Sequence, residues 1–142
     1  MDYFIILEDI LLTKLPKEKF IKFDKFYKLF LENKLIFDYN YRALDLENPS
    51  YNDFLSIVKP TKLPPIKNFK TKEGKKYLIH TILHIEYSAV DLALDAALRY
   101  QNMPLEFYKD WLEVASDEIR HFLMLEKLLN ELNGFYGEFE VH

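Results

Sequence analysis

The stretch TKEGKKYLIHTILHIEYSAVDLALDAALRYQNMPLEFYKDWLEVASDEIRHFLMLEKLLNELNG, residues 71–134, decides the fold. Thr71 is suited to cap a helix, and Glu73 falls in the first turn, where negative charge complements the helix dipole. Apart from Gly74, nothing interrupts the pattern before Gln101. Pro104 stands where a second helix should begin, and that helix runs to Leu132, with Asn133-Gly134 as a left-handed stop. Two long helices joined by a turn of about two residues predict an antiparallel hairpin.

At about 100° per residue, one face of the first helix collects Ile79, Ile82, Leu83, Val90, Ala93, Leu94 and Ala97, with Glu86 near its middle. On the second helix Tyr108, Trp111, Ala115, Phe122, Leu125 and Leu129 share a face with Glu118 near its middle and His121 to one side. Burying a carboxylate costs several kcal/mol, and neither glutamate has a Lys or Arg three or four positions away to neutralise it. Glu86 lies sixteen residues before Asn102 and Glu118 sixteen after it, so both fall about 24 Å from the hairpin tip. Two carboxylates at one depth, with a histidine a turn away, have the geometry of a metal site. Bundles holding two metal ions use a Glu from one helix and a Glu-x-x-His from the next.

Other polar residues form weaker candidates. His80, His84, Tyr87 and Asp91 make a stripe opposite Glu86, expected to face the N-terminal helices or solvent; His80 and His84 are alternative metal ligands. Asp117 and Arg120 flank Glu118 and either orient it through hydrogen bonds or form an ordinary surface ion pair. Tyr108, Trp111 and Phe122 are candidates for the wall of the site, although large aromatics on a bundle face are more often core.

Working outward, residues 3–12 (YFIILEDILL) read as a short apolar helix broken at Leu15-Pro16. Residues 17–33 place Phe20, Phe23, Tyr27, Phe30 and Leu31 at helical spacing. Residues 34–70, with Asn48-Pro49, Pro60 and Pro64-Pro65, read as an irregular strap carrying one helical turn near 51–57. The expected organisation is N-terminal helices and a Pro/Lys-rich strap over 1–70, a hairpin over 71–142, and one compact all-α domain overall.

The 142 residues are 49% hydrophobic with three Gly, which excludes a disordered chain. Without Cys there is neither a disulfide framework nor a thiolate site, so a metal must be held by carboxylate and imidazole, which suits iron or manganese. The acidic N-terminus does not resemble a signal peptide, and no apolar stretch reaches membrane-spanning length; the expectation is a soluble, cytoplasmic protein without membrane contact. Charge is uneven. Residues 59–76 carry seven Lys against one Glu, and residues 77–142 carry four basic against twelve acidic residues. The basic run is either a solvated linker or a nucleic-acid contact.

Asp117-Glu118-Ile119-Arg120-His121 resembles the Asp/Glu-Glu-x-Arg-His motif of the ferritin-like di-iron superfamily. The wider sequence over residues 58–142, including HTILHIEYSAVDLALDAALRY and the closing EFEVH, is similar to an uncharacterised bacterial family with a ferritin-like domain. A more distant likeness of fold is to a bacterial tRNA hydroxylase. The resemblance implies a carboxylate-bridged di-metal oxidoreductase of ferroxidase or hydroxylase type, with Glu118 or Glu86 bridging and His121 as a terminal ligand. It also implies a second helical pair with another Glu and another Glu-x-x-His, whereas this chain carries histidines only at 80, 84, 121 and 142. Either the chain is a fragment, or two copies pair about a two-fold axis, giving a homodimer whose four-helix bundle completes the site. The competing expectation is a non-catalytic helical scaffold that binds RNA or protein through the lysine-rich segment and strap.

Overall fold

The computed structural model describes residues 1–42 and 70–141. Four α-helices make up the described chain: α1 (Tyr3–Leu12), α2 (Pro16–Leu31), α3 (Lys72–Arg99) and α4 (Leu105–Glu131). Its one β-type pairing is an isolated bridge between Asp2 and Ile36. The class is all-α. The helical turn expected near 51–57 lies outside the described residues, as do the first eleven positions of the basic run 59–76.

Local chemistry sets the helix ends. Thr71 caps α3 by accepting a hydrogen bond from Gly74 N at 3.0 Å. Asp2 caps α1 through Ile5 N at 2.9 Å, while its other oxygen accepts from Asp38 N, also at 2.9 Å. Pro104 is the residue before α4 rather than its first helical residue, and the link from α3 is five residues, 100–104, instead of about two. The sharp reversals fall on asparagine: Asn33, Asn102 and Asn133 adopt φ of 56°, 57° and 62°. Asparagine tolerates this left-handed conformation better than other residues with a Cβ. Beyond Asn133, Gly134 approaches the Leu129 side chain so closely that an added Cβ would lie 2.7 Å from it.

The hairpin of α3 and α4 is the scaffold, and α1 and α2 cover one side of it. Near the tip, Tyr3 stacks on Phe37 at 4.5 Å, meets Tyr108 edge-on at 5.2 Å and donates from its hydroxyl to Ala97 O at 2.9 Å. Along α2, Phe20 packs against Tyr87 and Phe122. Lys19 is fully buried. Its Nζ lies 2.7 Å from an Asp91 carboxylate oxygen and 5.3 Å from the Tyr87 ring centre. Burial pushes the lysine down and the aspartate up from their ordinary values, each offset by the partner's charge.

Two expectations are corrected by this packing. The buried face of α3 is rotated toward the polar stripe: His80, His84 and Tyr87 are buried, whereas Ile82 is exposed. Likewise Leu112 and Ile119 are buried on α4, while Trp111 and Leu125 are only partly so. The stripe does not face solvent. Tyr87 and Asp91 meet the N-terminal helix α2, one of the two surroundings expected for the stripe, whereas His80 and His84 are covered by residues 134–141, which return from the end of α4 to lie along α3. Gly137 N donates to His80 Nε2 at 3.0 Å, His84 Nδ1 is 2.7 Å from the Tyr136 hydroxyl, and Lys76 Nζ is 2.8 Å from Glu138.

This return makes stability pH-dependent. Burial, reinforced by the neighbouring His84, lowers the His80 pKa from 6.5 to about 4, with Glu138 opposing. A histidine kept neutral in the fold takes up protons more readily when unfolded. Its contribution is therefore complete above pH 6.5 and is lost as pH falls from 6.5 to about 4. A loss on the order of 2–3 kcal/mol is expected over that window, and His80→Gln should flatten it. Urea titrations at pH 7 and pH 4.5 measure the effect, and equal slopes for both proteins would refute it.

Candidate metal centre

Glu86, Glu118 and His121 meet on the flank of the hairpin. One ligand atom from each lies within 4.8 Å of the others. His121 Nδ1 is 3.7 Å from an oxygen of Glu86 and 3.7 Å from an oxygen of Glu118. The i, i+3 spacing of Glu118 and His121 puts both on one side of α4. The five-residue turn then sets Glu86 at the same height on α3.

Both glutamates sit at the margin of the core rather than in the middle of the buried faces. Their side chains are 22% and 24% exposed, and that of His121 is 53% exposed. One Glu86 oxygen, Oε2, is nonetheless buried and has no hydrogen-bond partner among the described residues. His121 Nδ1 faces that oxygen from 3.7 Å, beyond hydrogen-bond distance, so a cation or a closer donor between them would be stabilising. On the core side, Leu83 and Val90 flank Glu86 one turn away in each direction, and Ala115 and Phe122 flank Glu118; all four are buried.

The donor set suits a transition metal. Two carboxylates and one imidazole match the ligand preferences of iron or manganese. With metal–ligand bonds of about 2.1 Å, ligand atoms on one ion stand about 3 Å apart when adjacent and about 4.2 Å when opposite. The two 3.7 Å separations from His121 fall between these limits, and the group as a whole, within 4.8 Å, would draw in slightly around one ion. A ring bound through Nδ1 must carry its proton on Nε2, and at His121 that edge belongs to a half-exposed ring.

Of the remaining candidates, Phe122 backs Glu118 on the core side and the others lie elsewhere. Asp117 and Arg120 pair with each other at the surface, 54% and 70% exposed. Tyr108 is committed to the hairpin tip, where its hydroxyl donates to Tyr100 O at 2.8 Å, ten residues and about 15 Å of helix rise from Glu118. Trp111 packs against Phe107, two turns from Glu118. Phe122 is one turn away, packed against Tyr87 and Phe20. His80 and His84 are engaged by Gly137 and Tyr136 on the other side of α3.

Sequence reasoning missed the buried Lys19 and the return of residues 134–141. A signal for Lys19 existed, because it stands four, seven and eleven residues before Phe23, Phe26 and Phe30 on one helical stripe. The basic segment is also reduced, since Lys76 is buried against Glu73 and Glu138.

Fold and cluster together define an all-α protein with a carboxylate–imidazole group on the flank of a helical hairpin. The family model described as Protein of unknown function (DUF455) matches residues 12–142, and the chain belongs to that family. An uncharacterised protein of Haemophilus influenzae is 40% identical over 93 residues, covering 61% of this chain and 32% of that relative. The chain thus spans about a third of the length of the curated relative it matches. No solved structure matches it. No described helix is long and apolar enough to cross a membrane.

Proposed function

We propose that the protein is a metal-dependent oxidoreductase of the ferritin-like, carboxylate-bridged type, a ferroxidase or hydroxylase that uses iron or manganese as its cofactor. The observation that carries the reading is the convergence of Glu86, Glu118 and His121, with one buried Glu86 oxygen facing His121 without a hydrogen bond. Each chain supplies half of a two-metal site, and a second copy supplies the same three groups across a two-fold axis.

The chemistry of the donors supports this assignment. Hard carboxylate oxygens stabilise the higher oxidation states of iron and manganese, and one imidazole completes a set that leaves positions open. Bound there, such ions supply one-electron steps for oxidising iron or activating dioxygen. Glu86 and Glu118 would offset the charge of a bound ion, and His121 would offer Nδ1, which lies 3.7 Å from an oxygen of each. The buried side chains behind the glutamates keep water off the core side, leaving the exposed flank for a substrate or partner.

Metal analysis on protein purified without chelators, combined with light scattering during size exclusion, tests the reading. About one iron or manganese per chain in a dimer is expected from this ligand count. A monomer holding two tightly bound ions per chain, or a chain with no metal preference at all, would sink it.

A further inference from the structure

Residues 134–141 form no helix and are held along α3 by Lys76, His80 and His84, which stand on successive turns of that helix. Lys76 Nζ lies 2.8 Å from a Glu138 carboxylate oxygen, the Tyr136 hydroxyl lies 2.7 Å from His84 Nδ1, and Gly137 N donates to His80 Nε2 at 3.0 Å. The rings of Tyr136 and Phe139 pack on His80 at 5.5 and 5.3 Å, and it is left 1% exposed. Gly137 presents its N–H from a φ of 104°, a conformation that residues with a Cβ rarely adopt. A ring nitrogen that accepts an N–H carries no proton of its own. His80 is therefore neutral here, with its proton on Nδ1.

We propose that residues 134–141 form an acid-released strap, which lets go of α3 when His80 takes up a proton on Nε2 while the four helices stay folded. Protonation converts the acceptor into a donor facing the Gly137 N–H, so the contact turns from attraction to repulsion. It also places a charge where water does not reach. On α3, the titratable neighbours Lys76 and His84 offer no negative charge to offset it. On the strap, Tyr136 is engaged with His84, and the Glu138 carboxylate is already paired with Lys76. Burial and His84 hold the ring's pKa to about 4 when docked, with Glu138 opposing, against 6.5 when free. Docking is thus strongest above pH 6.5 and weakens as pH falls toward 4, by roughly 50–100-fold at pH 4.5.

The helices do not share this dependence. Lys19 and Tyr3 anchor α2 and α1 on Asp91 and on Ala97 O, and the hairpin is held by buried side chains such as Leu83, Val90 and Ala115. A short segment without regular structure opens at lower cost than the whole fold. Release also opens a cavity of about 280 Å³, walled by Ile85 and Leu92 of α3 on one side and by Glu140 and Val141 of the strap on the other. Val141, 3% exposed when docked, then enters solvent. None of this depends on a bound metal.

Hydrogen exchange read by mass spectrometry on the full chain at pH 7 and pH 4.5 tests the inference, with rates corrected for the intrinsic effect of pH. Protection of 134–141 is expected to fall roughly 50–100-fold, while the amides of α3 and α4 keep theirs. His80→Gln offers Gly137 an acceptor that does not titrate, so its strap should exchange alike at both pH values. Unchanged protection in the wild type would overturn the strap, and parallel loss across the helices would replace it with global unfolding. A pH response kept in His80→Gln would pass the role to Glu138 and overturn that of His80. Should the variant fail to dock at either pH, ring nitrogen shifts of wild-type His80 decide. A proton on Nδ1 at pH 7 supports the strap, and one on Nε2 overturns it.

Discussion

Glu118→Ala is expected to remove metal binding while leaving the helical fold intact. Groups that merely orient a ligand are worth about 10–100-fold in affinity, so losing one of only three ligands per chain should cost more than about 100-fold. The fold should tolerate the change because the Glu118 side chain sits at the edge of the core and makes no hydrogen bond that anchors α4; its close polar neighbour is His121 at 3.7 Å. Equilibrium dialysis against manganese(II) reads the first effect and a thermal melt the second. Asp117→Ala is the matched control. That residue is paired with Arg120 at the exposed surface, and its loss should change stability by less than about 1 kcal/mol. Comparable metal loss in both variants would move the site away from Glu118.

The largest effect on stability is expected at Lys19. Its ammonium is fully buried against Asp91, and removing one member of such a pair strands the other charge. Lys19→Ala should destabilise the protein by about 3–5 kcal/mol, enough to unfold many domains of this size. The explanation is specific to charge. The double replacement Lys19→Met with Asp91→Leu should recover most of the loss, because apolar side chains of similar volume often match or exceed a buried ion pair. Urea denaturation of the wild type, the single variant and the double variant measures all three. If the double variant is as unstable as Lys19→Ala, the loss comes from packing and not from a stranded carboxylate.

The helices were legible because their signals are local. Thr71, Pro16, Pro104 and Asn133 mark ends by their own backbone chemistry, and each acts within a residue or two of where the sequence places it. The pairing of Glu86 with Glu118 and His121 was legible too, since equal distance from a turn fixes height on a hairpin. Rotation about the helix axis was not. Apolar residues populate almost every side of α3: Leu83 and Val90 face the core, and Ile85 and Leu92 face outward. Periodicity cannot distinguish an apolar face packed within the chain from one left exposed, so Glu86 falls at a margin rather than the centre. Nor could it foresee that His80 and His84 lie under the returning C-terminal segment. That contact joins His80 to Gly137 across 57 positions, and no local pattern encodes it.

The contacts that dock the N-terminal helices span long separations, and this orders events in time. Lys19 meets Asp91 across 72 positions and the Tyr3 hydroxyl meets Ala97 across 94, whereas α3 meets α4 through a five-residue turn. Closing the longer loops costs more chain entropy before any contact rewards it. The hairpin can therefore assemble early, and the chain must hold its apolar flank in water until Tyr3 and Lys19 arrive. Docking of the first thirty residues is therefore the expected slow step of folding.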